Sequence, residues 1–283
     1  MKKYILTIAL ALATGTAIKA QEPAKAKVFG GSGQYRTWSV GANAGVLSPV
    51  VFLGGSNDFS NWNADLGYGL SIRKQLAPSF SLNANLLRGD VSGNNEEAPG
   101  RIQDGLRDFS TEIGYAADIR GEATVFVLDF LKRDKALSFN LSAGFGLMGY
   151  APKVTAADNR ISDYKGKAGD EGNNEYVKEL YMPIGAGVRF KVSELVNFNL
   201  SYSMHYMDGD NLDGIYKGGK DKFSYGSAGL EFLLGSRNKP AMGWNNPWSS
   251  LYDELKDSSL RNDVEALQKR VNNIETDMEK LKA

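Results

Sequence analysis

From Asn61 to Arg73 every second residue is apolar: Trp62, Ala64, Leu66, Tyr68, Leu70 and Ile72. Asn61, Asn63, Asp65, Gly67, Gly69, Ser71 and Arg73 lie between them. A period of two belongs to an extended strand with one oily and one polar face. The run, about 61–76, is longer than the roughly 5–6 residues of a usual soluble strand. Strands of about 9–11 residues, apolar on one side only, are what a membrane-spanning barrel requires.

The same pattern returns seven more times, at about 37–47, 80–88, 109–125, 137–150, 179–192, 197–207 and 223–235. In the last of these Phe223 and Tyr225 fall on the opposite parity from Ala228, Leu230, Phe232 and Leu234, and a bulge is expected to reconcile the halves. Strand 109–125 is expected to keep one parity throughout, with Phe109, Thr111, Ile113, Tyr115, Ala117 and Ile119 outward.

The links alternate between short (Ala77-Pro78-Ser79, 193–196 and, somewhat longer, 127–135) and long (48–60, 89–108, 151–178 and 208–222). Such an asymmetry is that of transmembrane barrels. It implies an eight-stranded antiparallel up-and-down barrel over 37–235, an all-β membrane protein with its first strand running outward and both chain ends in the periplasm. A soluble lipocalin-like barrel would turn its apolar face inward to a ligand, whereas here the inward set would be Asn, Ser, Gly, Glu and Arg. Two belts of aromatic residues are expected, with Trp38, Phe80, Phe139, Phe198 and Phe232 at the periplasmic ends and Trp62, Phe109, Tyr181 and Tyr206 at the outer ends.

The chain begins Met1-Lys2-Lys3, continues through an apolar run to Ala13 and small residues to Ala20. This is the form of a signal peptide over 1–20, followed by a periplasmic segment over 21–36. No cysteine is present, which excludes a lipid-anchored cysteine, disulfides and thiol chemistry. Without Lys2, Lys3 and Lys19 the 33 basic and 33 acidic residues become 30 and 33, a balance that gives no sign of nucleic-acid binding.

Eight strands leave room only for side chains inside. The inward charges Arg73, Glu112, Asp118, Arg120, Arg189 and Glu231 are expected to pair across the lumen, because unpaired buried charges cost several kcal/mol each. Glu122, Glu179 and Lys191 share that parity, near the rims. His205 is the lone histidine, read as a hydrogen-bonded lumen residue, and no catalytic residue or cofactor is expected. Asp208, Asp210 and Asp213 resemble a calcium ligand set. Leu212 occupies a ligand place and no glutamate closes the loop, so acidic turn chemistry is the simpler reading.

Past Gly235 the pattern changes to a linker with an aromatic segment, 236–252, and then a helix, 253–283. In that helix Leu260, Val264, Leu267, Val271, Ile274, Met278 and Leu281 repeat at spacings of four and three, the seam of a coiled coil. Arg270 and Glu275 would face each other between parallel neighbours. Self-association or a helical protein partner is expected there, and membrane lipid around the barrel.

Tyr181-Met-Pro183-Ile-Gly185-Ala-Gly187, Asp210-Asn-Leu-Asp213-Gly214, Lys220-Asp-Lys-Phe-Ser-Tyr225, Gly229-Leu-Glu-Phe232, Trp244-Asn-Asn-Pro247 and Leu251-Tyr252 occur in an order that resembles the N-terminal barrel of OmpA-type outer-membrane proteins. The resemblance covers about 35–252. It implies an outer-membrane location and a structural or scaffolding role, with a narrow porin-like channel or a barrel enzyme as alternatives. Members of that family usually continue into a peptidoglycan-binding domain. This chain stops at Ala283, so direct peptidoglycan binding is not expected of it.

Overall fold

The structure is a computed structural model that describes residues 31–52, 59–96, 105–128, 137–165, 176–216, 219–244 and 258–282. The expected signal peptide (1–20) and residues 21–30, 129–136 and 245–257 lie outside the described residues.

Strands β1 (Trp38–Ser48), β2 (Asn61–Trp62), β3 (Asp65–Ala77), β4 (Phe80–Asn94), β5 (Leu106–Leu128), β6 (Leu137–Ala156), β7 (Ile161–Asp163), β8 (Val177–Lys191), β9 (Val196–Met207) and β10 (Lys222–Leu234) belong to one sheet. β2 and β7 are short additions to β4 and β6. The other eight each pair antiparallel with their chain neighbours, and β1 closes the ring on β10. Closure leaves no free edge among the eight.

Why these segments form staves is visible at β1 and β3. Trp38, Val40 and Val46 point outward and are exposed, while Ser39 and Leu47 on the alternate parity are buried inside. β3 exposes Leu66, Tyr68, Leu70 and Ile72 in the same way. Tight links sit at one end of the barrel. Ala77 pairs with Phe80 across a small bulge, and the β8–β9 turn is closed by Ser193 N–H to Val196 O at 2.9 Å. The long links lie at the other end.

The strands reach further toward the long-link end than the sequence pattern indicates; β4 extends to Asn94 and β6 to Ala156. Two expectations are corrected. β10 keeps a continuous register with both neighbours, so it has no bulge; Phe223 and Tyr225 simply face inward and are buried. β5 instead carries three irregularities against β6, and at the central one Ile113 pairs with Tyr150 and Tyr115 with Gly149, leaving Gly114 over. β4 shows the matching shift between Leu87 and Gly89. This extra residue flips the parity of the strand. Phe109, Thr111 and Ile113 face inward on one side of it, and Ala116, Asp118 and Glu122 on the other. A side chain at 114 would place its Cβ 2.3 Å from the ring of Tyr176, which packs over this glycine and would have to shift.

Helix α1 (Ser258–Lys282) follows. It contains neither proline nor glycine and has the expected four-and-three apolar spacing. Among the described residues no helix is long and apolar enough to cross a membrane, which does not bear on strands.

Candidate functional site

The inside of the barrel is built in three layers. At the short-turn end Arg73, Glu122, Arg189 and Glu231 form a closed square. Arg73 reaches Glu231 at 2.9 Å and Glu122 at 3.2 Å; Arg189 reaches Glu231 at 3.3 Å and also contacts Glu122. Four strands, β3, β5, β8 and β10, each supply one corner. Asn83 donates to Glu122 at 2.9 Å, and Ser39 and Asn197 donate to Glu231. With two positive and two negative charges in mutual contact, the desolvation of each is offset by two partners and by neutral donors.

A middle layer is polar. Asp118 takes both Nε and Nη2 of Arg120 at 2.7 Å, Asn85 at 2.7 Å and the hydroxyl of Tyr181 at 2.8 Å. Beside it is a cavity of about 110 Å³ lined by Asn43, Ser71, Arg120, Ser142, Ser201 and Ser227, among others.

The third layer, toward the long links, is apolar. Leu47, Leu87, Val91, Phe109, Ile113, Met148, Tyr150, Met207 and Phe223 are all buried against one another. Gly67 makes space for it, since a Cβ there would lie 2.7 Å from the Tyr225 ring. The link from β9 to β10 folds down to complete this layer. Leu212 enters it and is 1 % exposed. Its N–H donates to Asp221 Oδ2 at 2.6 Å, and its carbonyl accepts from Thr111 Oγ1.

The short-turn end is also closed. Arg36 bridges in parallel to Ala241, with Arg36 N–H to Pro240 O at 2.8 Å and Met242 N–H to Arg36 O at 3.1 Å. This brings Ala241, Met242 and Trp244 back over the mouth, where all three are buried, and Trp244 Nε1–H donates to Asn197 Oδ1 at 3.0 Å. Part of the expected linker is therefore a lid. The Arg36 guanidinium beneath it pairs with Glu194 at 3.5 Å. Burial lowers its pKa and Glu194 opposes that shift.

Of the sequence-derived lumen set, Arg73, Arg189 and Glu231 meet in the square, joined by Glu122, and Asp118 and Arg120 meet in the middle layer. Glu112 does not face the lumen. It precedes the Gly114 bulge, so its parity is outward, where it meets Tyr176 (2.8 Å), Arg88 (3.2 Å) and Lys165 (3.3 Å). Phe109 and Tyr181, expected in the outer aromatic belt, are interior residues. Trp62, expected in the same belt, is exposed but pairs with Gly93 in the row of the inward Phe109.

His205 lies between the rings of Tyr181 and Phe223, at 5.3 and 4.3 Å, with Nε2 2.9 Å from Ser203 Oγ. That pair is sealed in the core. Asp208 is exposed and binds Lys220 at 2.6 Å, which keeps its carboxyl below the usual range. Asp213, almost fully buried, caps Ile215 N–H at 3.0 Å, and Asp210 is also buried. Among the described residues no group of three or more His, Asp and Glu side chains is arranged to hold a metal.

The apolar inner layer was not read from the sequence, although its signal is there. The inward parity of Ser39 to Gly45, Ser81 to Asn85 and Ser138 to Gly146 simply continues to Leu47, to Leu87 and Val91, and to Met148 and Tyr150.

Outside, Leu66, Leu70, Ile119, Phe145 and Leu180 each leave 60–73 % of their surface uncovered. A continuous apolar band around a barrel with a polar and packed inside matches a protein that meets lipid with its outer face. No family model matches the sequence, and no curated protein matches it. Among solved structures, Neisserial surface protein A is 16 % identical, covering 70 % of this chain and 97 % of its own, with a TM-score of 0.40. The N-terminal β-barrel domain of Pseudomonas aeruginosa OprF is 13 % identical, with coverages of 69 % and 97 % and a TM-score of 0.34. The outer membrane protein OprG of the same organism is 12 % identical, with coverages of 71 % and 98 % and a TM-score of 0.37. The fold is a closed eight-stranded antiparallel barrel. That assignment rests on the strand pairing itself.

Proposed function

We propose that this protein is a non-catalytic, non-conducting barrel of the outer membrane that anchors an envelope assembly. The closure of the lumen at both ends carries this reading. An apolar core completed by Leu212 fills one half, and the lid ending in Trp244 covers the charge square at the other. A chamber of about 110 Å³ lies between them. The charged and apolar opening of the chain and the unequal links support an orientation with the long links outside and both termini, with α1, in the periplasm.

Planar bilayers containing the full chain, together with gentle-detergent extraction from native membranes, test the reading. The expected results are no steady conductance above background and a co-extracted protein partner or second copy. A large steady conductance would instead support the porin-like channel. A lipid- or peptide-hydrolysing activity lost in His205→Ala would support the enzyme. Direct peptidoglycan binding is not part of this reading, and retention on purified peptidoglycan would count against it.

A further inference from the structure

Resting on the anchoring role above, we infer that the partner held by α1 is a second copy of this chain, in a parallel two-stranded coiled coil. Val264, Leu267, Val271, Ile274 and Met278 recur at three- and four-residue spacing along one helix face, and each leaves 52–59 % of its surface exposed. Two of the three residues at the first seam position are β-branched valines, and the second position carries leucine or isoleucine. Valine opposite leucine layers of this kind favour two strands over three or four.

The flanks choose the partner. By spacing, positions 270 and 277 precede the seam residues Val271 and Met278, and positions 275 and 282 follow Ile274 and Leu281. In a parallel pair in register, the first set on one helix meets the second set on the other, five residues along. Arg270 then faces Glu275, and Asp277 faces Lys282, each with opposite sign. The preceding pair is Asp263 with the neutral Gln268, so within Ser258–Lys282 no like charges meet in this register. A sequence complementary to itself in this register fits a copy of itself.

The barrel supplies the geometry. Copies inserted the same way round release their helices on the same side, so a two-fold axis along the membrane normal makes them parallel. Eight strands about 4.8 Å apart and tilted by about 40° close a ring about 16 Å across. Residues 245–257 can span up to about 45 Å at full extension, enough to bring two helix starts together between neighbouring barrels. Tethering also matters energetically. About three heptads are marginal in dilute solution, and confinement to one membrane raises their effective concentration.

The absence of cysteine makes the test direct. In full-length protein in its native membrane, Val264→Cys, Val271→Cys and Met278→Cys are introduced singly, with Lys269→Cys as the off-seam control, and exposed to a mild oxidant. All three seam variants are expected to give a disulfide-linked dimer, and the control a monomer. Arg270→Glu in the Val271→Cys background is expected to lower the dimer fraction severalfold, and adding Glu275→Arg to restore it. Cross-linking at Val271→Cys alone would mean antiparallel helices and overturn the proposal. Monomer at every seam site would overturn it too, as would equal cross-linking of the control or indifference to both charge changes. Bilayer conductance is read on the same preparations, so failure of the anchoring role and failure of the pairing are separate results.

Discussion

Each guanidinium in the charge square touches both carboxylates, so no side chain there can be removed without stranding another. Glu231→Ala leaves Arg73 and Arg189 sharing Glu122 alone. Breaking a buried pair this way is expected to destabilise the barrel by about 3–5 kcal/mol, measured by urea unfolding in lipid vesicles. Replacing Arg73 and Glu231 together by Met and Leu is expected to cost less than the sum of the single changes; additive losses would show that the four do not act together. A different behaviour is expected of Asp221, in the β9–β10 link. Burial, with Asp213 and Asp210 nearby, pushes its carboxyl up to about 8, while the hydrogen bond from Leu212 N–H opposes this. Between the ordinary value of 3.8 and about 8, the folded link holds a proton that the unfolded chain has lost. Its stabilising contribution is therefore whole at acid pH and fades as pH rises through about 8. Hydrogen exchange at the Leu212 amide, corrected for its intrinsic rate, is expected to show less protection at pH 9 than at pH 6. Asp221→Asn keeps an acceptor and is expected to flatten the difference.

At the scale of elements, the staves were legible in the sequence because lipid outside and polar groups inside impose the same two-residue period on each. Toward the long-link end the two faces exchange character, with Val91 inward between Asp90 and Ser92 in β4 and Phe223 and Tyr225 inward beside Lys222 and Ser224 in β10; hence the underestimated ends of β4 and β6 and the misread Phe223 and Tyr225. The Gly114 bulge is hidden for another reason. An extra residue changes which face a side chain shows without changing composition, and Glu112 on one side of it looks like Asp118 on the other. Only the pairing partners Tyr150 and Gly149 reveal it. Gly114→Val drives a branched side chain into the Tyr176 ring and is expected to loosen the long-link end of β5, seen as faster exchange at Glu112 and Ile113 with Ser39 and Glu231 unaffected. For α1 the heptad was legible throughout, and the side chains of Leu260 and Leu281 lie outside the described residues. Ile274→Pro, which removes a hydrogen bond in mid-helix and costs about 3 kcal/mol, is expected to abolish the Val271→Cys dimer while leaving barrel unfolding unchanged.

At the scale of the whole molecule, two closures of different chemistry act in series. Trp244→Ala removes the main bulk of the lid, yet the Leu212-capped core still blocks the other half. The variant is expected to stay non-conducting, and a conductance rise from that change alone would show that the apolar layer does not seal. The lid was out of reach of periodicity, because it depends on Arg36 and Ala241 meeting from opposite ends of the barrel sequence. Closure of the sheet also gives the Gly114 bulge a wider consequence. In an open sheet one additional residue could slide toward an edge and vanish there, but a ring has nowhere to discharge it. Deleting Gly114 would turn Phe109, Thr111 and Ile113 to the outer face and bring Asp108 and Glu112 into the apolar interior, along a seam shared with β4 and β6. Length is therefore free to vary in the long links between staves, while the residue count between Phe109 and Asp118 is as constrained as any side chain in the protein.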